Sequence, residues 1–168
     1  MRALILAAMS CFFWLQNANA QTTIDDTESG LAIPRMVSLR SNLINARSGP
    51  GARYPIEWVY RQKTAPVEIT AEFELWRKIK DWEGSESWVH KSMLSGTRTI
   101  KMTAKGESNV YARPDYNSRV IAKVEDQVVG QVLKCPSGNP FCLIKFDTIE
   151  GWVPRRHFFG VYNNETID

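Results

Sequence analysis

Two histidines and three cysteines are the chain's whole supply of soft ligands and strong nucleophiles, and they limit its chemistry at once. A thiol hydrolase needs a thiolate made by a neighbouring imidazole. Cys135 and Cys142 face each other across Pro136-Ser137-Gly138-Asn139-Pro140, a spacing that suits two facing strand positions flanking a turn. In an exported protein such a pair reads as a disulfide. The competing reading, a metal pair, needs two more soft ligands, and no His or Cys stands near at zinc spacing. The serine turns Ser48-Gly49 and Ser95-Gly96 lack the Gly-x-Ser-x-Gly elbow. Asp81 and Glu83, with Glu86, read as the solvated face of a hairpin rather than an acid/base pair. No glycine-rich phosphate loop is present. The chain therefore reads as non-enzymatic, with no catalytic residue, metal or cofactor. A formal charge of +3, from 21 basic and 18 acidic residues, is too weak for an obligate nucleic-acid partner.

The elements that would position any site begin after a different kind of segment. Arg2 precedes an apolar run from Ala3 to Leu15, and Ala18-Asn19-Ala20 stands ahead of Gln21. That is the order of an export signal, residues 1–20. The apolar run is too short for the roughly 20 residues of a membrane-spanning helix, so no integral membrane segment is expected in the mature chain. Lipidation of Cys11 is a weaker alternative, because Ala8 and Met9 fit a lipoprotein signal poorly. Removal of the leader takes Cys11 with it and leaves Cys135 and Cys142. Residues 21–33 are polar and acidic and read as a mobile lead-in.

Beyond Pro34 short alternating segments are separated by turn residues, and no window offers a long amphipathic helix. The segments repeat. Ser41-Asn42-Leu43-Ile44-Asn45-Ala46-Arg47 resembles Ser108-Asn109-Val110-Tyr111-Ala112-Arg113, Ile79-Lys80 matches Ile144-Lys145, and Trp88-Val89 matches Trp152-Val153. Two related units follow, at 34–102 and 105–164, joined by a short linker. His90 and His157 do not align in this repeat, which argues against a shared metal site.

Asn45-Ala46-Arg47-Ser48-Gly49-Pro50-Gly51 with Tyr54-Pro55, and the closing stretch from Trp76-Arg77-Lys78-Ile79 to Trp88-Val89-His90-Lys91-Ser92-Met93-Leu94-Ser95-Gly96, resemble bacterial SH3-like domains. The second unit keeps only the Ala-Arg, Ile-Lys and Gly-Trp-Val landmarks and is a divergent copy. The resemblance implies an all-β protein: two small SH3-like, partly open β-barrels in tandem, each of five strands with a short 3₁₀ turn after the Trp-Val pair. Gly49 and Gly51 are expected at positive φ, and Gly84 and Gly151 in hairpin connections. Exported domains of this kind are often joined to cell-wall cysteine peptidases, but the residues here leave no segment for one.

Aromatic residues are the better functional lead. Trp76 and Trp88 read as structural, with Trp88 in the core. Trp82 lies in the polar hairpin Lys80-Asp81-Trp82-Glu83-Gly84. It either folds back over its own barrel or the second unit, or stands exposed as a platform for a sugar ring or extended peptide. Tyr54 could line the same groove, and Arg47, Arg53, Arg61 and Arg77 could pair with an acidic peptide. The resulting expectation is a periplasmic (alternatively secreted) binding module at the cell envelope that holds a peptide or peptidoglycan fragment. The alternative is a structural or regulatory accessory protein that contacts an envelope protein and binds no small ligand. Product recovered from a secreting host is expected to begin at Gln21, which intact-mass measurement checks; an intact Met1 end or a lipid on Cys11 would contradict it.

Overall fold

The computed structural model describes residues 28–168; the leader and the lead-in up to residue 27 lie outside the described residues. The described chain is built from strands. In the first unit these are β1 (Arg35–Leu39), β2 (Ile44–Arg47), β3 (Ile56–Tyr60), β4 (Pro66–Phe73), β5 (Trp76–Lys80), β6 (Glu86–His90) and β7 (Leu94–Ser95). In the second they are β8 (Thr99–Met102), β9 (Ser108–Tyr111), β10 (Val120–Val124), β11 (Val129–Lys134), β12 (Phe141–Phe146), β13 (Ile149–Pro154) and β14 (Phe158–Phe159). The sheet orders, β3-β2-β6-β5-β4-β1-β7 and β10-β9-β13-β12-β11-β8-β14, are the same path run twice. Neither closes on itself, so each unit is an open barrel. Each has seven strands where five were expected. The β2–β3 hairpin, and β9–β10 in the second unit, lies beside the Trp-Val strand. A 3₁₀ turn follows each Trp-Val pair, at Lys91–Met93 and Arg155–His157.

Alternation along the strands places Leu39, Ile44, Val67, Ile69, Ile79 and Val89 in one core, and Ile100, Met102, Val110, Ile144 and Val153 in another. The ladders also correct the repeat alignment. Arg47 pairs with Trp88 and Tyr111 with Trp152, so Tyr111 occupies the place of Arg47, two residues before the Arg113 that the landmarks suggested. Glycine roles differ as well. Gly84 has φ +87° in the β5–β6 hairpin as expected. Gly49 and Gly51 are not at positive φ. A Cβ on Gly49 would meet the Tyr54 ring at 2.4 Å, so that glycine is a seat for an aromatic ring. Gly151 lies inside β13, where a Cβ would meet Val110 Cγ1 at 2.4 Å.

The same hairpin is braced differently in the two units. In the first, Glu72 on β4 faces Arg77 on β5, and the pair is bonded at 3.1 Å with both side chains nearly inaccessible. Arg35 and Ser29 also bond Glu72, so residues 28–33 are tied to the barrel at the end of the lead-in. Burial pushes the Glu72 carboxyl up, but hydrogen bonds from Arg35 and Ser29 outweigh it and hold the group below the usual carboxylate range. In the second unit Cys142 stands where Arg77 stands in the first, and it is joined to Cys135 with Cα atoms 4.4 Å apart. A covalent bond replaces an ion pair.

The barrels meet through β8 and the loop ahead of β4. Lys101 is 4% exposed, with its Nζ 3.7 Å from the Trp82 ring centroid and 2.6 Å from Gln62 Oε1. Thr99 Oγ1 donates to Thr64 O at 2.7 Å, and Tyr162 OH donates to Glu68 Oε1 at 2.8 Å. Val129 of the second barrel packs against the first core. Burial lowers the Lys101 pKa, partly opposed by the Glu83 and Asp81 carboxylates.

Replacing Cys142 by Ser is expected to lower the melting temperature while preserving the β fold. The chain-entropy loss for so short a loop is about 2 to 3 kcal/mol. Thermal melts monitored by circular dichroism check the size of the effect, and thiol titration of unreduced protein should find no free thiol at Cys135 or Cys142.

Candidate functional site

Three of the six candidate ligand-binding residues converge on the loop between β2 and β3. The Tyr54 ring lies over Gly49 and Gly51. Arg47 Nη1 donates to Tyr54 O at 2.7 Å, and the Arg53 guanidinium sits 5.2 Å from the Tyr54 ring centroid. A bulge between Ala46 and Arg47 turns the chain here. Trp88 neighbours Arg47 across the β2–β6 pair. It is half-buried rather than a core residue, because Ser87 and Val89 take the inward positions of β6. Trp58, which carried no role in the sequence, is 50% exposed on the edge strand β3, with Ile56 and Val59 exposed beside it.

The other three candidates lie elsewhere. Arg61 is exposed at the far end of β3. Arg77 is buried, with Nε bonded to Glu72 and Nη1 donating to the carbonyls of Glu74 and Trp76, so it braces the β4–β5 hairpin away from the Tyr54 loop. Trp82 does not form a wall with Tyr54. Its ring packs on the first core, meets Tyr60 edge-on at 6.2 Å and covers Lys101, and its Nε1 is buried without a partner among the described residues.

Asp81 makes this placement possible. It is 3% exposed, not part of a solvated face. Its Oδ1 accepts from Glu83 N and Ser85 N at 3.0 and 2.9 Å, and its Oδ2 accepts from Tyr60 OH at 3.0 Å. Those bonds curl the hairpin and turn Trp82 inward. Burial and the Asp81 carboxylate hold the Tyr60 phenol protonated well above its ordinary range.

A further concavity lies on the second barrel, where no ligand-binding residue was expected. It is open to solvent and offers about 590 Å³ between the disulfide loop and the C-terminal segment. Tyr116, 45% exposed, forms one wall and is backed by Phe141 at 4.7 Å and Tyr111 at 6.0 Å. Arg156 lies 5.3 Å from the Tyr116 ring centroid and donates from Nε to His157 Nε2. Burial and the neighbouring Arg156 charge both lower the His157 pKa, favouring the neutral ring that can accept this bond. Arg155, buried beneath, donates to Pro136 O, Asn139 O and Tyr162 O and so holds loop and tail together. The sequence signal was faint: an Arg-Arg pair after Trp-Val-Pro and an Asn-Asn pair near the C-terminus.

Two small open barrels, each with a Trp-Val strand followed by a 3₁₀ turn, define a tandem SH3-like protein whose described residues hold no cluster of metal-ligating groups. The family described as "Bacterial SH3 domain" matches residues 40–96 and again 104–158, and the chain belongs to that family. No curated protein matches it. Among solved structures it is similar to NlpC2 from Trichomonas vaginalis, at 17% identity over 74% of this chain and with a TM-score of 0.33. It is also similar to NlpC1 from the same organism, at 15% identity over 77% of this chain and with a TM-score of 0.34. The chain spans under half the length of either, 47% and 46%.

The placement of the two tryptophans sets the order of their energetics. Trp82→Ala removes packing on the core and the cover over Lys101, and should cost about 2 kcal/mol, below the value for a fully buried ring. Trp88→Ala empties an outer-face position and should cost less than about 1 kcal/mol. Urea unfolding of the two variants checks the order; an equal or larger loss for Trp88→Ala would place Trp88 in the core after all.

Proposed function

We propose that the protein is a non-catalytic binding module of the cell envelope, using its first barrel to hold a peptide or peptidoglycan fragment. The observation that carries this reading is the Tyr54 loop. A ring seated on two glycines, a guanidinium beside it and a second arginine fixing the loop carbonyl make a preorganised contact surface. Trp88 stands beside Arg47 across the β2–β6 pair and adds a half-buried indole next to this loop. Aromatic anchors with arginine partners are the groups that dominate recognition surfaces. Membership in the bacterial SH3 family and the disulfide support a location outside the cytoplasm. Among the described residues no helix is long and apolar enough to cross a membrane. In this reading the protein is exported and periplasmic.

Purified protein should sediment with isolated cell-wall sacculi, and Tyr54→Ala should weaken that binding by about tenfold, equivalent to 1.4 kcal/mol. Repeating the sedimentation with envelope extract distinguishes the accessory role. Binding that appears only when extract is added would show that an envelope protein is the partner and would overturn direct recognition of the wall.

A further inference from the structure

The second barrel carries a groove that the first barrel cannot form, and its lining has a defined chemistry. In the first unit the β4–β5 hairpin closes through Glu74 and Leu75 alone, with Phe73 paired to Trp76. In the second, the matching β11–β12 hairpin opens into a loop from Cys135 to Pro140, closed by the disulfide. The chain after β14 then returns beside it, held by the antiparallel bridge of Ile167 to Cys135 and by the Arg98–Glu165 pair. Loop and tail are the two walls.

No carboxylate lines this groove, whereas two guanidinium groups do. Glu165, the acid on the tail, is engaged by Arg98 and by Tyr162 N. Hydrogen-bonding capacity in the lining is unspent. Asn139 Oδ1 accepts from Phe141 N, leaving its amide donor free, and the side chains of Ser137, Asn163 and Asn164 have no hydrogen bond among the described residues. Arg156 spends only Nε on His157, so both its Nη groups remain for a ligand. Its guanidinium carbon lies over the Tyr116 ring, 5.3 Å from the centroid, and that ring is backed by two further aromatics, so the platform is held in place beside the cation.

We propose that this groove is a second binding site, distinct from the Tyr54 loop, for a small carboxylate-bearing ligand. The carboxylate pairs with the Arg156 fork, which matches two acceptor oxygens in one plane. The body of the ligand lies against Tyr116, and its amide or hydroxyl groups meet the Asn139, Asn163 and Asn164 carboxamides. A volume of about 590 Å³ is within the range of small-molecule sites and suits a short peptide or a single substituted sugar. The shared chemistry is a carboxylate next to amide groups, whether it comes from a peptide C-terminus or an acidic amino sugar.

The test uses two acids, each beside a neutral counterpart: acetyl-trialanine with its C-terminal amide, and N-acetylmuramic acid with its methyl ester. Each is titrated into isotopically labelled protein and followed by two-dimensional NMR. The expected result is saturable shifts at Tyr116, Ser137, Arg156 and Asn163 for at least one acid. The neutral counterpart and the Arg156→Gln variant should each bind about tenfold more weakly, with the melting temperature of Arg156→Gln unchanged. Which acid saturates identifies the source. Equal binding of acid and neutral forms, shifts confined to the first barrel, or saturation by neither acid up to about 10 mM would overturn the proposal. Each leaves the Tyr54 reading to be decided by sedimentation.

Discussion

A buried lysine sets the geometry of the whole molecule. Lys101 lies on β8, where the second barrel begins, and its ammonium is enclosed by the Trp82 ring and the Gln62 carboxamide of the first. An unserved charge at 4% exposure would be untenable. It persists because a π face, an amide oxygen and the fields of Asp81 and Glu83 all belong to the opposite barrel. The barrels must therefore meet at the angle that brings these groups together. Barrels of this size are close to the lower limit for folding alone, where each has only one small core to draw on. Their contact through Val129, Thr99, Thr64 and Tyr162 adds a shared interior that neither has by itself.

Asp81 is the antecedent of that joint. Its two oxygens close the β5–β6 hairpin and tether it to Tyr60, and the turned hairpin presents Trp82 to Lys101. A hairpin this polar would otherwise extend into solvent. The local hydrogen bonds, each modest in net worth, act together by choosing one conformation for a side chain that then serves the long-range contact. The same logic sets the Tyr54 loop of the first barrel, where Gly49 is required by the ring of Tyr54 resting on it and not by backbone freedom.

Much of the architecture was legible because it is written in short-range pattern. The alternation of Val67, Ile69 and Ala71, the recurrence of Trp-Val and the Cys135–Cys142 spacing each report on neighbours along the chain or across one turn. The disulfide appears where the cysteine spacing places it, and the 3₁₀ turns where the resemblance to bacterial SH3-like domains implied them. The misplacements share one cause: the deciding partner is distant in sequence. Asp81 looks solvated until Tyr60 is seen beside it. Trp82, left open between folding inward and standing exposed, is settled inward by Lys101 of the other unit, and Gly151 looks like a turn until Val110 occupies the space a side chain would need. Of the six candidate ligand residues, Tyr54, Arg53 and Arg47 gather because one loop carries them. Arg77 lies apart from them and bonds Glu72, an acid that stands opposite it only once β4 and β5 are paired.

Divergence of the second copy follows the same physical route. The first barrel braces its β4–β5 hairpin with Arg77 and Glu72, which keeps the connection tight and fills its base. A disulfide at the matching place needs no second side chain to shield it, so the connection can lengthen without coming apart. Lengthening creates carbonyls that need donors, and Arg155 supplies them. It opens its 3₁₀ turn as Lys91 does in the first unit, and its backbone N–H bonds Pro140 O as that of Lys91 bonds Leu75 O. Lys91 is exposed and leaves its ammonium in solvent. Arg155 is buried, and its planar fork reaches three carbonyls on two different segments at once, which a single ammonium on a flexible stem does poorly. The concavity between loop and tail is thus a consequence of exchanging an ion pair for a covalent bond and a lysine for an arginine. Both exchanges stabilise a longer connection while leaving Arg156, one residue on, free to face the groove.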